Sequence, residues 1–75
     1  MNSPLAAEAA NEFAARVRRE VGADTSRQVE RTFQLALQRS PVPEERTACL
    51  RLVGRRSLPE LCCALLNLNE FAYLD

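Results

Sequence analysis

The chain reads as an all-α protein, a small four-helix domain with short connections. Apolar residues recur at three- and four-residue steps in four separate stretches. Each stretch is bounded by helix punctuation: a capping hydroxyl at the start, or Gly and Pro at the ends. Two glycines in 75 residues are too few for the turns of a β-rich fold.

The first helix is predicted over 4–21. Ser3 is a natural N-cap and Pro4 suits the first helical position, where its missing N–H costs nothing. Leu5, Ala9, Phe13, Val17 and Val21 form an i, i+4 stripe, widened by Ala6, Ala10 and Ala14. Glu8 and Glu12 come early, and Arg16, Arg18 and Arg19 late, the order that the helix dipole favours. Glu12 and Arg16 have the spacing of an ion pair. Gly22 is the expected C-cap.

The second helix is predicted over 26–39. Thr25 and Gln28 have capping-box spacing, with Asp24 adding negative charge at the same end. Val29, Phe33, Ala36 and Leu37 form its buried stripe; Leu35 lies off it and closes one flank of the core or marks a contact surface. Ser40-Pro41-Val42-Pro43 is the firmest break, because each proline also drives the preceding residue out of the α region.

The third helix is predicted over 43–53, with Glu44 and Glu45 in its first turn, Cys49, Leu50 and Val53 inward, and Gly54 at its end. A very short link makes a tight hairpin or corner with the fourth helix, predicted over 58–68. Ser57 and Glu60 form a capping box there, and Pro59 falls in the first turn. Leu58, Leu61, Cys62, Leu65 and Leu66 share one face. Asn67 and Asn69 are expected to end the helix in a polar turn, with Phe71, Tyr73 and Leu74 folding back on the core. The predicted core is Phe13, Val29, Phe33, Leu37, Leu50, Leu61, Leu65 and Leu66, the stripe centres of all four helices.

Bulk composition narrows the function. At this length one domain buries roughly 60% of its unfolded surface, and 47% hydrophobic residues suffice for an ordered core. Formal net charge is zero, so no strong field steers nucleic acid or an anionic membrane. All ten basic residues are Arg. There is no histidine, hence neither the commonest general base nor the commonest metal ligand. Adjacent Cys62 and Cys63 diverge by about 100° on a helix and do not chelate one ion. The three cysteines read as core hydrophobes with one semi-exposed thiol, a Cys49–Cys62 bridge being the sharper alternative.

No glycine-rich phosphate loop, Cys-x-x-Cys or haem-attachment motif is present, so no cofactor and no catalytic residue is expected. No N-terminal basic start leads into an apolar core, and no stretch approaches the ~20 apolar residues of a membrane span, so the chain as given is expected to be soluble, without an export address. Leu50 to Leu66 has helix–turn–helix spacing with Arg55 and Arg56 in the turn, which raises a DNA-binding or antitoxin-like regulator as the rival reading. Its second helix, LPELCCALLNL, offers almost no base-reading side chains.

Two strings are more specific than any pattern above. Leu37, Arg39 and Pro41, followed by Glu44 or Glu45, make a Leu-x-Arg-x-Pro signature before an acidic helix start. Leu65, Leu66, Asn67, Asn69, Glu70 and Phe71 make a Leu-Leu-Asn-x-Asn-Glu-Phe ending. Together they resemble the C-terminal end of a bacterial domain of unknown function, abundant in planctomycete proteins, where it often follows a planctomycete cytochrome-C-like region. The likeness extends weakly through the first helix. Gln38 stands where that family commonly has glycine, Val42 where it has a capping Thr or Ser, and Leu68 where it has a small or polar residue.

The family's domain is much longer than this chain, which therefore looks like its tail. The resemblance implies no activity, and it implies that longer relatives are often exported. It points to a non-catalytic helical module packing against protein, either the rest of such a domain or a second copy. Arg39 and Glu70 belong to the matched strings and lie off the apolar stripes, so they are expected to pair and tie the end of the second helix to the final turn.

Overall fold

A computed structural model of the chain describes the backbone of residues 4–73 and the side-chain environment of residues 7–68. Four helices follow one another: α1 Pro4–Val21, α2 Thr25–Leu37, α3 Pro43–Arg55 and α4 Leu58–Tyr73. No strand occurs among the described residues. Helices α1, α2 and α4 pack against one another pairwise, and α3 lies across α2 and α4 without touching α1.

The ends of the elements follow local chemistry. Gly22 closes α1 with φ +81°, a left-handed conformation that glycine adopts without steric cost, and its N–H donates to the Arg18 carbonyl at 2.9 Å. The cap of α2 is Asp24, one residue before the expected Thr25: its Oδ1 accepts from the Arg27 N–H at 3.2 Å. A carboxylate is the better anion for a helix start, so Thr25 becomes the first helical residue. Gln28 is thereby released from capping. It is buried, and its Nε2 donates to the Gly22 carbonyl at 2.7 Å, stitching α2 to the preceding turn.

Helix α2 stops at Leu37, two residues short of the expected end, because Gln38 turns left-handed (φ 59°, ψ 35°) and returns its N–H to the Gln34 carbonyl. Helix α3 runs through Gly54 to Arg55; a single glycine costs a helix about 1 kcal/mol and does not by itself end one. Helix α4 starts as expected, with Ser57 Oγ accepting from the Glu60 N–H at 3.3 Å. Its end is a correction. The helix continues through Asn67 and Asn69 to Tyr73, because asparagine is only mildly unfavourable inside a helix and no Gly or Pro follows to break it. The side chains of Phe71 and Tyr73 and the whole of Leu74 lie outside the described residues.

The core consists of Ala10, Ala14 and Val17 from α1, Val29, Phe33 and Ala36 from α2, and Leu58, Leu61, Cys62 and Leu65 from α4. Small alanines on α1 let its backbone come close to α4. Four of the eight expected core residues, Val29, Phe33, Leu61 and Leu65, are fully buried. Phe13, Leu37 and Leu50 pack against the core half-buried, and Leu66 is half-buried too. Helix α3 supplies no fully buried residue; Cys49, Leu50, Leu52 and Val53 are all half-buried. Its stripe is right, but it covers an edge of the three-helix core rather than its centre.

Candidate functional site

Three large apolar side chains from three helices converge without burying one another. Phe13 of α1, Leu35 of α2 and Leu66 of α4 line one groove of about 490 Å³, with buried Ala36 beneath and the exposed cations Arg16 and Arg19 alongside. Phe13 sits on the core stripe of α1, yet it stays half-exposed because the α2 residue that faces the groove is an alanine. Leu35 sits where its position off the α2 stripe places it, on the core's flank and in the groove wall. A concave surface that sets apolar Phe13, Leu35 and Leu66 beside charged Glu12, Arg16 and Arg19 has the mixed composition of a protein contact.

Beside the groove lies an ion-pair chain. Glu20 accepts from Arg16 Nε at 2.7 Å and from Arg31 Nε at 2.6 Å, linking α1 to α2. These two guanidiniums, Arg16 first, lower the Glu20 carboxyl below its usual range. Arg16 thus takes Glu20, four residues later, in place of the expected Glu12. Glu20 can serve both arginines because it faces α2 as well as its own helix.

The first signature string folds into one polar clasp between α2 and α3. Arg39 forks Glu45 with two bonds, Nη1 to Oε1 at 2.7 Å and Nη2 to Oε2 at 2.8 Å. The same Nη1 donates to the Ser40 carbonyl at 3.2 Å, and the guanidinium carbon lies 5.5 Å from the Phe33 ring centroid. Glu45 Oε1 also accepts from the Val42 N–H at 2.9 Å, half of a capping box for α3. The Arg39 guanidinium and then the Val42 amide hold the Glu45 carboxyl down to about 2. Pro41 is buried between the two helices' ends.

A second clasp stands next to the first: Glu30 of α2 accepts from the Ser40 hydroxyl and from Arg46 of α3, and from Gln34 Nε2 at 3.3 Å. The Ser40 bond, then Arg46, lowers the Glu30 carboxyl.

Arg39 is therefore engaged by Glu45, six residues along. The sequence carries a signal for this fork, an Arg two residues before a proline and a Glu in the third position of the next helix. Asn67 is exposed on α4. The side chains of Asn69, Glu70 and Phe71 lie outside the described residues, and with them the Glu70 half of the expected pair.

The thiols are placed as core groups. Cys49 and Cys62 are not joined by a disulfide, so the alternative Cys49–Cys62 bridge is not formed. Cys62 is fully buried, and burial pushes its thiol up to about 11. Burial, then the Glu45 charge, also raises Cys49. Among the described residues no group of three or more His, Cys, Asp or Glu is placed to hold a metal ion, and no helix is long and apolar enough to cross a membrane. The exposed positions of α4 over 58–68 are Glu60, Ala64, Asn67 and Leu68, a surface without a cation for phosphate. No family model, no curated protein and no solved structure matches the chain.

Proposed function

We propose that this chain is a non-catalytic helical module that packs against other protein, and that it is the tail of the longer planctomycete domain it resembles. The observation behind the first half is the groove, where Phe13, Leu35 and Leu66 remain half-exposed around one concavity. Apolar surface grouped in this way gains free energy only when a partner covers it.

Three features support the second half. The family's glycine position coincides with a left-handed residue, Gln38. The signature Arg39 and the acidic helix start form a two-bond fork. The signature Pro41 is buried between them. These residue types therefore serve one local structure, the α2–α3 clasp, and need no catalytic role.

Photo-crosslinking in the source cells tests the reading. A photoreactive residue replacing Leu35 or Leu66 is expected to yield protein adducts, and one replacing exposed Arg51 on α3 far fewer. Adducts to nucleic acid, with salt-dependent retention of a DNA duplex, would favour the regulator reading instead. No adduct from the groove positions would remove the docking surface. An in-frame stop directly upstream of Met1, with no longer domain encoded beside it, would remove the tail assignment.

A further inference from the structure

We propose that α3 is a separately opening unit, a flap that unfolds locally while α1, α2 and α4 keep the core intact. Apart from Pro41 in the preceding loop, every buried apolar residue among those described belongs to α1, α2 or α4, so the loss of α3 removes none of them. The four apolar residues by which α3 packs are all half-buried, and the helix reaches α2 and α4 but not α1.

What else holds α3 is polar and partly solvated. The Arg39–Glu45 side chains are 47% and 35% exposed and the Arg46–Glu30 pair 35% and 30%, a degree of exposure at which ion pairs hold weakly and salt screens them. At 13 residues, α3 is also too short to persist as an isolated helix in water, so undocking and unfolding are one event.

Both ends of the segment are anchored. Pro41 is buried before it; Ser57 caps α4 and Leu58 is buried after it. The opening is thus confined to 42–56 and leaves the neighbouring helices in place. None of the groove residues lies in this segment, so the flap is independent of the docking reading. Regions with few buried contacts and polar attachments occupy the low-stability end of a protein's opening spectrum.

Native-state hydrogen exchange on the unaltered chain tests the flap. The amides of α3 are expected to exchange at least about 10-fold faster than the core amides of α1, α2 and α4, and with a much weaker denaturant dependence. Ala48→Pro provides a second measurement. Ala48 is exposed, so the ring meets no packed neighbour, but it breaks the helix interior. The expected result is loss of about one helix of circular dichroism signal, with cooperative melting of the remainder. A coil spectrum for Ala48→Pro, or wild-type α3 amides that exchange in step with those of α1, overturns the proposal.

Discussion

At the scale of single residues, the break between α2 and α3 holds two side chains in positions that other residues fill better. Gln38 adopts φ 59°, ψ 35°, a left-handed backbone that costs an L-residue roughly 1–2 kcal/mol. Glycine avoids that cost but has more freedom to lose from the unfolded chain. Gln38→Gly is therefore expected to stabilise by about 0.5–1 kcal/mol, read as a higher urea midpoint at unchanged slope. A lower midpoint would mean that the Gln38 side chain contributes more than its backbone costs.

Val42 already has cap geometry (φ −72°, ψ 162°) but no acceptor for the first amides of α3. It is 49% exposed, so the isosteric hydroxyl of Thr fits without repacking. Val42→Thr should gain about 0.5–2 kcal/mol by the same measurement.

At the scale of elements, α2 and α3 are joined through carboxylates, which makes their junction sensitive to acid. The folded state holds the Glu45 carboxyl near about 2, below its ordinary value of 4.5. A carboxyl depressed on folding contributes stability that is complete above its unfolded value and is lost as pH falls through its folded value. The Glu45 contribution is thus present above about pH 4.5 and drains away toward pH 2. Glu20 and Glu30 are lowered in the same direction and add to the slope. Glu45→Gln should flatten the dependence of unfolding free energy on pH across this window. A wild-type and variant pair with the same slope would show that the Arg39 fork does not contribute to folding.

At the scale of the whole molecule, stability rests on three helices and a few large side chains. Phe33 is 2% exposed and meets the Arg39 guanidinium above its ring. Phe33→Ala should cost about 3–5 kcal/mol, a large part of what a domain of this size possesses, and show as loss of the cooperative thermal transition near room temperature. Near wild-type melting would place Phe33 outside the core.

The thiols report the same packing. Cys62, fully buried with its thiol near 11, should resist a disulfide reagent in the native chain and react once urea unfolds it. Rapid native labelling of Cys62 would show that α4 does not seal the core.

The sequence by itself determined the all-α class, the four helices and most of their starts. Those depend on local chemistry: 3.6-residue periodicity, Pro4 and Pro43 in first turns, Ser57 as a cap and Gly22 as a stop. It also showed that Leu35 lies off its stripe, which is how one wall of the groove was legible.

Tertiary structure decided what depends on a neighbour. Whether the Phe13 and Leu66 stripes end in the core or in a groove depends on the small Ala36 facing them from another helix. Whether α3 is core or cover depends on its lying across α2 and α4 away from α1, which its own periodicity does not encode. Arg39 offers the same fork to any carboxylate, and Glu45 takes it because the buried Pro41 turn brings the start of α3 back to the end of α2. Local propensity sets each helix, whereas partner choice is set by distances that exist only after the helices have packed.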